Sequence, residues 1–132
     1  MIAVDTSALC AIVFDEPEGA NFVSAIREAQ EILISVVSVV EARMVVQRRK
    51  QSAGLAILDE ILALPMFEIV SPGSAEIRIA HAAFVTYGKG NGHPAQLNFG
   101  DLFSYALAKS RGVPLLFKGD DFALTDVGVA GA

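Results

Sequence analysis

The sequence predicts an α/β fold of three layers, with a central parallel sheet of four to five strands held between helices. Three observations predict it. Four short apolar runs are spread along the chain, the segments between them repeat apolar residues at helical spacing, and no long polar tract interrupts the alternation. Parallel neighbours require long crossovers, and helices supply them. With 132 residues, 53% of them hydrophobic, and a mean hydropathy of +0.50, the chain buries an ample core. Residues 1–132 read as one domain, without repeat or linker.

The first strand is Met1-Ile2-Ala3-Val4, closed by Asp5 and the hydroxyls of Thr6 and Ser7. Ser7 to Phe14 reads as a short apolar helix, broken by Asp15-Glu16-Pro17. Pro17 suits the first turn of a second helix, with Ala20, Phe22, Val23 and Ile26 on one face, running to about Gln30. Ile32-Leu33-Ile34-Ser35 is the second strand. Ser38 is expected to cap the next helix, which places Glu41 in its first turn. Gln51-Ser52-Ala53-Gly54 should interrupt a helical hairpin whose second arm, with Leu55, Leu58, Ile61, Leu62 and Leu64, ends at Pro65. Phe67 to Val70 is the third strand, followed by a helix from Ser71-Pro72-Gly73-Ser74 to about Tyr87 and a glycine-rich loop to Pro94. A helix from about Phe99 to Arg111 carries Asp101 in its opening turn and stops at Gly112. Pro114-Leu115-Leu116-Phe117 is the fourth strand, and Val127 to Ala130 is a candidate short edge strand.

Composition excludes several functions. A net charge of −5 argues against a protein that holds nucleic acid mainly through a basic surface, although a metal held by carboxylates would present a positive centre to phosphate. Arg48-Arg49-Lys50 reads as the cationic end of a helix rather than an RNA contact. Cys10, the one cysteine, lies in an apolar run and reads as a buried reduced thiol, consistent with a cytoplasmic setting. Neither a leader nor an apolar run of about 20 residues is found, so no membrane span is expected. The low share of charged residues, 19%, points to an apolar face shared with a partner. The helices between Glu41 and Leu64, with Val45, Val46, Leu55 and Leu58, are the expected source of that face.

Asp5, Glu41, Asp101 and Asp120 stand where strands end or helices begin. In an open α/β sheet such positions share one rim, and carboxylates gathered there repel until a cation joins them. A donor set of oxygens alone favours Mg²⁺ or Mn²⁺. A metal so held would present a positive centre to phosphate, so a nuclease stays open despite the net charge. His81 and His93 read as structural or solvent-facing, whereas Lys89, His93 and Lys118 flank the proposed site in sequence and are candidates for phosphate contact.

Met1-Ile2-Ala3-Val4-Asp5-Thr6-Ser7-Ala8, Asp15-Glu16-Pro17-Glu18, Ser38-Val39-Val40-Glu41-Ala42, Asn98-Phe99-Gly100-Asp101-Leu102-Phe103-Ser104-Tyr105-Ala106 and Leu115-Leu116-Phe117-Lys118-Gly119-Asp120-Asp121-Phe122 with Thr125-Asp126 together resemble a PIN-domain ribonuclease, and within that superfamily the VapC toxins of type II toxin–antitoxin pairs. The resemblance implies a PIN-like fold, a Mg²⁺- or Mn²⁺-dependent endoribonuclease, a homodimer and a VapB-type antitoxin whose C-terminal segment covers the site. Carried over by residue, it makes Asp5 and Asp101 direct metal ligands, with Glu41 and Asp120 acting through water or holding a second ion. Asp121 and Asp126 remain alternatives for the fourth acid, and Thr6 and Ser7 match the turn that orients Asp5.

Two other readings have less support. A receiver or phosphoryl-transfer domain would need its aspartate at the end of the central strand, and the third run here ends in Val70-Ser71-Pro72. A non-catalytic module of the same fold would have no need of all four acids.

Overall fold

The structure, a computed structural model, describes residues 1–49 and 51–131. Four parallel strands, β1 (Ile2–Val4), β2 (Ile32–Ser35), β3 (Phe67–Val70) and β4 (Leu115–Leu116), lie in the order β3-β2-β1-β4. Among the described residues the helices are α1 (Thr6–Val13), α2 (Gly19–Glu28), α3 (Val36–Arg49), α4 (Gln51–Leu62), α5 (Ser74–Tyr87) and α6 (Phe99–Arg111). A 3-10 turn at Phe122–Leu124 follows β4. The expected fifth strand reduces to a single parallel bridge between Val129 and Leu115.

Alternation along the strands divides the core into two layers. Ala3, Leu33 and Leu115 are in register and pack with Leu102, Tyr105 and Ala106 of α6 and Ala80 and Ala83 of α5. Val4, Ile32, Ile34 and Leu116 point the other way, onto Leu9, Val13, Ile26, Val46 and Leu58 of α1 to α4. Strands buried on both faces read as continuous apolar runs, which is why β1, β2 and β4 were legible.

Several boundaries differ from expectation. Helix α2 begins at Gly19 rather than Pro17 and ends at Glu28. Gly19 packs so closely on α1 that a Cβ there would lie 2.9 Å from the Ala11 carbonyl oxygen. Helix α3 begins at Val36, directly after β2, because the Ser35 hydroxyl accepts a hydrogen bond from the Val37 amide at 3.2 Å and does the capping. Ser38 is therefore inside the helix and fully buried, and Glu41 falls in the second turn, beyond the best reach of the helix dipole. Residues 51–54, expected to interrupt the hairpin, are helical, and α4 begins at Gln51. Arg48 and Arg49 close α3 as expected, and Arg49 lies 4.0 Å over the Phe14 ring; Lys50 is outside the described residues.

The residues expected to form a partner face turn inward instead. Val46 and Leu58 are fully buried, and Val45 and Leu55 pack against the same core. Hydrophobic side chains exposed on these helices are instead Val36, Val40, Met44 and Ile57, because they lie on the side of α3 and α4 turned from the sheet. Among the described residues, no helix is long and apolar enough to cross a membrane.

Candidate active site

The chain runs from β1 outward to β2 and β3, then returns past β1 to β4. This reversal opens a crevice beyond the carboxyl ends of β1 and β4, the usual ligand position in an open α/β sheet. Asp5 sits at that point, 3% exposed. Its amide donates to the Leu116 carbonyl at 3.0 Å, tying it to β4. Its carboxylate caps α1, with Oδ2 accepting from the Ser7 amide at 3.0 Å, and Oδ1 accepts from the Ser104 hydroxyl at 2.5 Å. Each oxygen thus has one protein donor and keeps a lone pair for a ligand.

Asp101 lies three residues into α6 in a reciprocal cap. Its amide donates to Asn98 Oδ1 at 2.9 Å, and its Oδ2 accepts from the Asn98 amide at 3.0 Å. Glu41, on α3, lays its carboxylate against the first turn of α6, and that approach depends on a glycine: a Cβ on Gly100 would stand 2.8 Å from Glu41 Oε1 and closer still to Oε2. Burial pushes the Asp101 carboxyl up from 3.8 to about 7; the Asn98 amide opposes the rise, and Asp5, Glu41 and Asp121 add to it. The charges of Asp5, Glu41 and Asp121 therefore all bear on Asp101. Among the described residues, no three acidic, histidine or cysteine side chains stand close enough to enclose an ion as placed. The donor chemistry nevertheless fits a hard dication: oxygen ligands only, mutual repulsion, and a cradle around Glu41 that a side chain at position 100 would fill.

The turn after β4 separates the three remaining acids. Gly119, at φ 101°, bends it. Asp120 and Asp121 are both exposed, and Asp121 is the one whose charge is felt at Asp101. Asp126 is engaged elsewhere, accepting from the Tyr105 hydroxyl and, at 3.1 Å, from Lys109 Nζ. Those bonds hold its carboxyl below the usual range.

Thr6 and Ser7 anchor the first acid from opposite sides. The Thr6 hydroxyl donates to the Ser38 carbonyl at 3.0 Å, and Ser7 Oγ accepts from the Lys118 amide at 3.0 Å. The Lys118 ammonium is paired with Glu16 at 2.9 Å and Glu18 at 3.3 Å, so it closes the rim rather than standing free for phosphate. His93 packs edge-on against Tyr87 and accepts from the Ala95 amide, Lys89 is exposed on the loop before α6, and His81 is exposed on α5. Cys10 is a buried thiol, pushed up to about 11 by burial first, then by Asp5, Glu41 and Glu16.

Sequence reasoning missed Ser38, Ser104 and Gly100, which build the site without belonging to its acids. It also missed the groove beside Glu41, about 500 Å³, lined by Val36, Val37, Val40, Met44, Phe99 and Gly100. Phe99 is 73% exposed at its lip, its ring 5.1 Å from that of Phe103.

The PIN-domain family model matches residues 2–128. The chain is 42% identical over 126 residues to ribonuclease VapC30 of Mycobacterium tuberculosis, covering 96% of this chain and 95% of that one. It is 40% identical over 124 residues to ribonuclease VapC28 of the same organism, covering 94% and 93%. In fold it is similar to VapC20 of Mycobacterium tuberculosis, a Sarcin-Ricin loop cleaving toxin, with a TM-score of 0.78 at 15% identity over 96% of each chain. It is similar also to VapBC2 of Rickettsia felis, solved bound to a DNA fragment from its promoter, with a TM-score of 0.73 at 16% identity over 98% of this chain and 96% of that one. Acids gathered at the sheet's reversal and relatedness along nearly the whole chain lead to one assignment: the chain belongs to the PIN-domain family of VapC ribonucleases.

Proposed function

We propose that this chain is a Mg²⁺- or Mn²⁺-dependent endoribonuclease, the toxin of a VapBC-type pair. The observation that carries the metal-dependent reading is geometric: Asp5 at the β1–β4 crevice is bonded to Ser104 of α6, and Glu41 of α3 packs on Gly100, next to Asp101 in the first turn of the same helix. Asp5 and Asp101 would hold the cation directly, because each keeps lone pairs beyond its protein bonds. Glu41 and a turn carboxylate would orient water; the coupling to Asp101 favours Asp121 over Asp120 for that place and leaves Asp126 to Tyr105 and Lys109. When bound, the cation supplies charge neutralisation at the phosphoryl oxygens and a water acidic enough to attack phosphorus. No histidine or lysine is required as acid or base.

The named relatives include ribonucleases and a VapBC pair, which supports RNA as substrate and a VapB-type antitoxin as partner. The apolar groove that ends at Glu41 is where an antitoxin segment would lie, its side chains covering Val40, Met44 and Phe99. We place the pair in the cytoplasm, and we expect a homodimer. Cleavage of a mixed RNA pool tests the reaction: wild type should cut with Mg²⁺ or Mn²⁺, and EDTA, Asp5→Asn or Asp101→Asn should each lower the rate by two orders of magnitude or more, roughly. Full activity in EDTA, or in both variants, would refute the assignment.

A further inference from the structure

Two buried serines outside the acid set join the elements that carry it. Ser104 Oγ donates to Asp5 Oδ1 at 2.5 Å, and Ser38 Oγ lies 3.0 Å from Ser104 Oγ. Ser38 is fully buried and Ser104 is 1% exposed. The direction of the chain follows from donor counting. A carboxylate only accepts, so the single Ser104 proton goes to Asp5, and the Ser38 hydroxyl must donate to Ser104. The Ser38 carbonyl in turn accepts from the Thr6 hydroxyl at 3.0 Å, which brings the chain back to the residue after Asp5.

Position gives these bonds a further meaning. Ser38 precedes Glu41 by three residues on α3, and Ser104 follows Asp101 by three on α6, so each serine shares a helix face with an acid of the site. The line Ser38–Ser104–Asp5 therefore joins α3, α6 and the end of β1 at one buried point, one helical turn beneath the carboxylates. Core packing alone would put apolar side chains here, since two hydroxyls in a dry interior are tolerated only when fully paired.

We infer that Ser38 and Ser104 form a positioning clamp that fixes Asp5, Glu41 and Asp101 relative to one another for cation binding. The inference rests on the metal-dependent reading above and adds residues to it. Neither serine touches substrate. Both act through the acids, as residues behind metal ligands commonly do, and losing such a partner weakens metal affinity about tenfold to a hundredfold.

Mn²⁺ affinity and metal-free thermal midpoint, measured on the same full-length variants, test the clamp without reference to cleavage. Ser104→Ala should weaken Mn²⁺ binding about tenfold or more and also lower the thermal midpoint, because the Ser38 hydroxyl is left buried without a partner. Ser38→Ala combined with Ser104→Ala removes that orphan. The double variant should regain part of the thermal midpoint while its Mn²⁺ affinity stays as weak as that of Ser104→Ala. Ser110→Ala, on the same helix but bonded to Glu76, should bind Mn²⁺ as wild type does. Wild-type affinity in Ser104→Ala, or an affinity in the double variant that recovers in step with its thermal midpoint, would overturn the clamp and leave the metal reading standing. Absence of saturable Mn²⁺ binding to wild type would overturn the metal reading and the clamp with it.

Discussion

Asp101 concentrates the electrostatic tension of the site. Its carboxyl is pushed up from 3.8 to about 7, so the folded chain keeps a proton that the unfolded chain has lost. Metal-free stability should therefore fall as pH rises through that window, and the loss is complete above it. Because Asp101 is partly exposed, screening reduces the effect to on the order of 2 kcal/mol. Thermal unfolding in EDTA across this range should show the slope, and Asp101→Asn should flatten it. Mn²⁺ affinity should rise over the same interval, since the ligand must lose its proton to bind. The turn acids divide in a second test at this scale. Asp121→Asn should weaken Mn²⁺ binding, whereas Asp126→Asn should leave it intact and cost about 1 kcal/mol of stability by loosening Tyr105 and Lys109. The reverse pattern in a metal titration would assign the fourth acid to Asp126. Asp5, Glu41 and Asp101 were legible in sequence because acids beside apolar runs are conspicuous. Ser38 and Ser104 were not, because a serine in a helix looks ordinary until its partner 66 residues away is known. The choice between Asp120 and Asp121 depends on side-chain direction after Gly119, which spacing does not encode.

Helices α3 and α6 meet at Gly100, where the usual helix preference and the needs of the site oppose one another. Glycine within a helix costs about 1 kcal/mol relative to alanine. Gly100→Ala should leave the fold intact, because the obstructing atoms belong to the movable end of Glu41, yet that carboxylate must swing away. We predict unchanged or slightly higher thermal stability together with a loss of cleavage of tenfold or more, about the effect expected for a misplaced catalytic group. Retained activity would show that Glu41 works from another position. The start of α3 was misread for a local reason. Ser38 was expected as the cap and Ser35 as the end of the strand, whereas the Ser35 hydroxyl takes the capping bond and Ser38 turns inward to pair with Ser104. Helix α6 agrees with its expected span of about Phe99 to Arg111: Gly112, at φ 64°, stops it as expected, and the Asn98–Asp101 cap at its start went unread in the sequence.

The molecule as a whole presents two kinds of surface: an acidic crevice and, adjoining it, exposed Val36, Val40, Met44 and Phe99. Hydrophobic side chains are also exposed on α5, at Ile77, Phe84 and Val85. Two such patches on one small domain agree with a second copy and an antitoxin binding at once. Light scattering at micromolar concentration should give twice the chain mass, and a lone monomer would contradict the dimer. The parallel sheet was legible because runs buried on both faces alternate with helices; the exposed side of α3 and α4 was not, because apolar composition alone does not say which side meets the core. One further consequence follows from strand order. The N-terminal strand lies inside the sheet, and Asp5 is tethered through its amide to Leu116, near the other end of the chain. Because Leu116 follows Asp5 in the sequence by more than a hundred residues, that aspartate cannot be seated in the sheet until β4 has been made and has paired with β1, so the acid crevice is a late product of folding.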